Sequence, residues 1–319
     1  MSLPYYDAEA VAAALPFERT MRAIEDALRT DIDPEADGPR LFADAPDGEF
    51  LLMPAQSARF SGLKALTMAP NNPARGLEKI QGVYVLYSSD TLAPVAIMEG
   101  SSLTAIRTPA VAISAVRQLA ALAAPGDELP ESPRVLVFGV GTQGRSSILA
   151  TRAAFPTATF EVIGRRPERV EALRRDLAEQ GIEIAHREDV DAAVAEADIL
   201  VLATTAATPL FDGSLVKSNA IVAAIGTHGY DAREVDDTLV ARADIVVEGR
   251  ASAQRENGNL HTYFTEADWQ ERPPASVRDL ARGEVSRRAG HPALYTGVGM
   301  SWEDLVCATV VFEEGTPSH

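Results

Sequence analysis

Between residues 134 and 249 the chain repeats one pattern. A short apolar run is followed by a segment with helical spacing, and then by another apolar run. The runs are RVLVFG (134–139), TFEVIG (159–164), DILVLAT (198–204), AIVAAIG (220–226) and DIVVEG (244–249). The intervening segments 143–154, 167–180, 188–196 and 234–241 carry apolar residues three and four apart. The runs are apolar on both sides, without the polar alternation of a half-exposed strand. Strands of that kind are buried on both faces, as in a parallel sheet covered by its crossover helices. The pattern therefore predicts an α/β architecture with a doubly wound parallel sheet.

Glycines sit at the first junction of this pattern. In GVGTQG, Gly139, Gly141 and Gly144 directly follow a predicted strand and open a predicted helix. The first glycine permits the tight turn, the second lets backbone amides approach a pyrophosphate, and the third allows close helix–strand packing. The sheet is thus read as a Rossmann-type dinucleotide-binding domain. Where an NAD site usually places an acid on the ribose hydroxyl, this chain has Gly164 followed by Arg165 and Arg166. Two guanidiniums suit a 2′-phosphate, so NADP is the predicted cofactor, with NAD the alternative.

The stretch before residue 124 mixes helix and strand signals. Residues 7–30 have helical spacing with Asp7 as N-cap, and FLLMP and GLKALTMAP read as short strands. Residues 81–100 read as a hairpin turning at 88–90. Residues 103–122 read as a helix with Pro109 near its first turn, where proline is tolerated. The Pro- and Gly-rich break APGDELPESP (124–133) is taken as a domain junction. The expected organisation is a mixed α+β domain over 1–123, completed by 290–319, and a dinucleotide domain over 124–289.

A formal net charge of −17 and a pI near 4.7 exclude nucleic acid as a main partner, because phosphate backbones need a basic surface. One cysteine, Cys307, excludes an intrachain disulfide, and no metal cluster is read. With no charged-then-apolar leader and no long apolar run, the chain is expected to be cytoplasmic and without a membrane partner. It has 26 arginines and three lysines: Lys64, Lys79 and Lys217. A lysine kept in such a chain points to a role that needs a removable proton, which arginine cannot fill.

Taken together, LLMPA, the lysine of GLKALT, LTAIRTPAVAISA, GVGTQG, ATTAATP, IGTHGYDAREVDDTLVARADIVVEG and RENGNL resemble the ornithine cyclodeaminase/μ-crystallin family over nearly the whole chain. The resemblance implies a homodimer, with a substrate and dimerisation domain beside the dinucleotide domain. It implies hydride transfer at the α-carbon of an α-imino or α-amino acid. By position it assigns Arg40, Lys64 and Arg107 to the substrate carboxylate, and Met53 to the substrate pocket. It assigns Thr108, Gly139, Gly141, Thr142, Gln143, Gly144, Arg165, Arg166, Thr204, Thr205 and Gly226 to the cofactor. A carboxylate held by a planar guanidinium is fixed in orientation as well as charge. Arg107 is read in the first turn of an otherwise apolar helix, where a buried charge needs a partner.

Two positions depart from the cyclodeaminase pattern. Leu51 stands two residues before the Met-Pro pair, where cyclodeaminases carry an acid for the ornithine amine. His228 stands where they carry a catalytic aspartate. Glu49 shares a strand face with Leu51 and is only a displaced substitute. An alkyl-ammonium would lose both charge partners here, so the predicted substrate has a non-cationic side chain. His228 and Lys64 are the candidate proton-transfer groups, since imidazole titrates near neutrality. A true ornithine cyclodeaminase and a crystallin-like binding protein are the alternatives.

Overall fold

The computed structural model describes residues 3–318, with Pro73 as backbone only. The chain divides into two compact units: residues 3–108 with 300–318, and residues 109–299.

The first unit is built on a six-stranded sheet. Its elements are β1 (Tyr5–Tyr6), α1 (Ala8–Ala14), α2 (Phe17–Arg29), β2 (Leu41–Ala45), β3 (Gly48–Gln56), β4 (Phe60–Met68), β5 (Ile80–Ser88), β6 (Pro94–Glu99), the start of α3 (Gly100–Ala121) and the helix Ser301–Glu314. The strand order is β1-β6-β5-β4-β3-β2; β1 joins β6 in parallel and the other pairs are antiparallel. Asp7 caps α1 by accepting from the amide of Ala10 at 2.9 Å. Pro16 divides the 7–30 segment into two helices, because proline suits a helix start and not an interior. One cross-strand row runs Met53, Lys64, Tyr84, Met98, Tyr6, and all five side chains are buried.

Helix α3 begins three residues before its sequence signature. The carboxylate of Glu99 accepts from the amides of Ser101 (3.0 Å) and Ser102 (2.6 Å), capping a start at Gly100. Pro109 therefore lies in the helix interior and Arg107 in its second turn, and neither is in the first. Residues 124–133 lie outside α3 and the following strand, while the division between units falls inside α3, between Thr108 and Pro109.

The second unit carries eight strands: β7 (Arg134–Phe138), β8 (Thr159–Ile163), β9 (Ile184–His186), β10 (Ile199–Leu202), β11 (Ile221–Ala224), β12 (Asp244–Val247), β13 (Ala275–Ser276) and β14 (Ala293–Thr296). Their order is β13-β12-β14-β11-β10-β7-β8-β9, and every pairing is parallel. All residues of β10, β11 and β14 are buried, as apolar runs without alternation require. Helices α4 (Thr142–Ala154), α5 (Pro167–Ala178), α6 (Val190–Glu196) and α7 (Asp237–Arg242) follow the expected segments. The 290–319 stretch is split: β14 belongs to this sheet, and the helix Ser301–Glu314 to the first unit. Among the described residues no helix is long and apolar enough to cross a membrane.

Candidate active site

In the first unit, Lys64 projects from β4 and is only 1% exposed. A buried ammonium needs partners. Its Nζ lies 2.7 Å from Oδ2 of Asp304 and 3.3 Å from Thr104 Oγ1. Arg107, also buried, pairs through NH1 with Glu303, and its Nε lies 3.4 Å from Asp304 Oδ1. Glu303 is itself anchored, its Oε1 accepting from the amide of Met300 at 3.1 Å. Two adjacent acids on one helix thus hold two cations from two other elements.

Burial pushes the Lys64 ammonium down to about 8. The positive charges of Arg107 and Arg40 add to that fall, and the Asp304 carboxylate opposes it. Arg40 is half-buried just before β2, and Met53 faces Lys64 across the β3–β4 ladder. The structure therefore gathers Arg40, Met53, Lys64 and Arg107 in one unit. The surroundings of Leu51 are apolar: it packs with Met53, Leu66 and Met68. Glu303 and Asp304 belong to this cluster although no sequence motif marks them. Their signal was two adjacent acids inside an apolar helix, which require buried counter-cations.

In the second unit the glycine loop leaves β7. Gly139 has φ +103°, and a Cβ there would lie 2.4 Å from the Ala203 carbonyl oxygen. A Cβ on Gly144 would lie 2.0 Å from the Gly139 oxygen. Gly141 is the N-cap of α4 and faces open space; it supplies no side-chain cap, and the first turn holds no acid. The first α4 amides, with the positive end of the helix behind them, are the kind of site that accepts an anion. Thr142 is exposed and Gln143 half-buried in that turn. At Gly164 a Cβ would press on Val170 and Val140, and Arg165 and Arg166 stand exposed just beyond.

Thr204 and Gly226 follow the C-terminal ends of β10 and β11, the edge of a parallel sheet where ligands bind. Thr205 is exposed. The Thr204 hydroxyl is committed to Glu234, 2.8 Å away. His228 is exposed on the loop after β11, and that loop is tied down by Gly229, whose amide donates to the Glu256 carbonyl at 2.7 Å. Thr227 Oγ1 is buried without a protein partner, a cost of the kind a bound ligand relieves. Thr108 is buried on α3 in the first unit.

The sequence model of the ornithine cyclodeaminase/mu-crystallin family matches residues 6–318. A Delta(1)-pyrroline-2-carboxylate reductase from Paracoccus denitrificans is 32% identical over 286 residues, covering 87% of each chain. Delta(1)-pyrroline-2-carboxylate reductase 2 from Burkholderia ambifaria is 29% identical, over 96% of this chain and 94% of its own. Among solved structures, the Thermococcus litoralis Delta(1)-pyrroline-2-carboxylate reductase in complex with NADH and L-proline superposes with a TM-score of 0.84. It is 23% identical and covers 99% of this chain and 100% of its own.

Proposed function

Because the chain belongs to the ornithine cyclodeaminase/μ-crystallin family, we propose that it is an NAD(P)-dependent reductase of α-imino acids, acting at the α-carbon of a substrate with a non-cationic side chain. Cyclic imines of the Δ1-pyrroline-2-carboxylate type are the leading candidates, since that is what the similar Paracoccus and Burkholderia proteins are named for. The observation that carries the reading is the pair of buried cations, Lys64 and Arg107, oriented by Asp304 and Glu303. With Arg40, they receive the substrate carboxylate, and Met53 offers an apolar wall beside it.

The second unit fits a dinucleotide. Gly141 leaves open space for a pyrophosphate, while Gly139 and Gly144 permit the tight turn and the close helix packing that set the loop. Thr142 and Gln143 stand in the helix turn that faces it, and Thr227 Oγ1 offers an unsatisfied polar atom. The bound nicotinamide supplies the hydride. Arg165 and Arg166 hold the 2′-phosphate, which makes NADP the preferred form. Thr108, Thr204, Thr205 and Gly226 complete the cofactor contacts. His228 gives the proton that the imine nitrogen takes up on reduction, and Lys64 is the second group able to hold one.

The apolar setting of Leu51 argues against a cyclodeaminase, since no carboxylate there meets an ornithine amine. The chain acts as a homodimer in the cytoplasm on this reading. Edge strand β2 and the exposed Leu41, Phe42 and Phe50 support self-association. The test is a screen of reduced-nicotinamide oxidation with cyclic and open-chain imino acids. Turnover of an imino acid is the expected result. Ammonia release from ornithine without net cofactor oxidation would replace this reading by the lyase.

A further inference from the structure

Strands β10 and β11 are hydrogen-bonded neighbours, with Leu202 beside Ala224. The loops that leave them carry Thr204 and Thr205 on one side and Gly226, Thr227 and His228 on the other. One carboxylate joins the two. Glu234 is 0% exposed. Its Oε1 accepts from the Thr204 amide and the Thr204 hydroxyl, each at 2.8 Å, and its Oε2 accepts from the Gly226 amide at 2.8 Å. The approach is close enough to exclude a side chain at 226, where a Cβ would stand 2.2 Å from the Thr204 oxygen and 2.5 Å from Glu234 Oε1.

Glu234 is held in turn from behind. Its own amide and that of Val235 donate to Asn259 Oδ1, at 2.7 and 3.2 Å, and Asn259 Nδ2 donates to Thr296 Oγ1 at 3.0 Å. Thr296 ends β14, the neighbour of β11. The bonds made by the carboxylate are therefore referenced to three adjacent strand ends. Its partners are amides and a hydroxyl, none of which carries charge, and burial raises its pKa against their pull. A buried carboxylate without a cation is a poor means of gaining stability. It is, however, a rigid acceptor for three donors at once, which neither glutamine nor a shorter acid can match.

We propose that Glu234 is a positioning residue: it sets the spacing of the Thr204–Thr205 loop and the Gly226–His228 loop, so that cofactor contacts and the proton-bearing imidazole share one frame. This role rests on the NAD(P)-dependent reductase reading.

The test uses Glu234→Gln, Thr204→Val and Thr204→Ser in the full chain. It reads amide hydrogen exchange at Thr204 and Gly226 without cofactor, NADPH affinity by fluorescence, and kcat with imino-acid KM. In Glu234→Gln, an amide NH2 must face a donor. Faster exchange at one of the two amides is expected, with NADPH Kd raised on the order of tenfold and kcat lowered on the order of tenfold, the scale of one hydrogen bond to a charged group. Imino-acid KM is expected to stay within about twofold, because the carboxylate-holding Lys64 and Arg107 are oriented by Asp304 and Glu303 and not by Glu234. Thr204→Val is expected to show a smaller loss of NADPH affinity and Thr204→Ser to restore it, which keeps the test decisive if Glu234→Gln does not fold. Wild-type exchange and affinity in both Glu234→Gln and Thr204→Val, or an equal loss in every parameter including imino-acid KM, would overturn the role. A wild type that binds no nicotinamide cofactor would overturn the reductase reading and this role with it. A wild type that binds and reduces normally, matched by its variants, would overturn the role of Glu234 alone.

Discussion

Lys64 Nζ and Asp304 Oδ2 stand 2.7 Å apart, with both side chains sealed from solvent, although 240 residues of sequence separate them. Each is tolerable inside the protein because of the other. Lys64→Met or Asp304→Leu alone is expected to lower unfolding free energy by about 3–5 kcal/mol, the scale of stranding a buried charge. The double variant is expected to lose less than the sum of the two. Urea unfolding of the four proteins measures this, and strict additivity would show that the pair is not coupled.

The pH dependence of Lys64 has a definite sign. The ammonium is the form that holds a carboxylate, and its folded pKa lies near 8 against an ordinary 10.5. Imino-acid kcat/KM is expected to fall as pH rises through about 8, and Lys64→Arg is expected to push that limb out of range. Between about 8 and 10.5 the unfolded chain holds the proton more tightly than the folded one. The contribution of Lys64 to unfolding free energy therefore rises with pH across that window. A kcat/KM that is flat from neutrality to pH 10.5 would contradict the assignment.

Arg107→Ala is expected to cost about 2–5 kcal/mol in kcat/KM for the imino acid, typical of truncating one member of a buried charge pair. NADPH affinity is expected to remain near the wild-type value, since the Arg107 guanidinium is committed to Glu303 and Asp304 and is assigned to the substrate carboxylate. Steady-state kinetics and fluorescence titration of the same preparation separate the two. Loss of both would mean that the variant is damaged as a whole.

His228→Asn is expected to lower kcat on the order of 100-fold, the lower range for lost acid–base catalysis, and to remove an imidazole limb from the pH profile of kcat. The residue is exposed on its loop, so little change in melting temperature is expected. Full activity with an unchanged profile would identify Lys64 or water as the proton source.

NADPH is expected to bind more tightly than NADH, and Arg165→Ala with Arg166→Ala to reduce the difference. Gly164 stands where NAD sites usually carry an acid, and the Arg165 and Arg166 side chains beside it are exposed. Dissociation constants for the two cofactors decide the matter; equal values in the wild type would reject it.

The parts of the molecule legible in the sequence are those governed by local rules. The apolar runs of β7, β10 and β11 report burial on both faces, whereas β8 alternates buried with part-exposed positions although its sequence reads as the same kind of run; Gly139 and Gly144 report close approaches that leave no room for a Cβ. β14 is not legible in the sequence because ALYT, four residues long, is a weak strand signal, and its place beside β11 is set by pairing across 72 positions. The start of α3 was misplaced because its cap comes from the Glu99 side chain, on the preceding strand. Glu234, Glu303 and Asp304 share one reason for being missed. A buried acid announces only that it has partners, and which ones they are depends on contacts between distant segments.

The noncontiguous make-up of the first unit has a consequence for biosynthesis. Lys64 and Arg107 leave the ribosome long before Glu303 and Asp304 do, and the whole parallel sheet is translated in between. Until then, burying the two cations carries the cost of charges without their acidic partners. The ion pairs of Lys64 and Arg107 can therefore form only after the helix Ser301–Glu314 has been made.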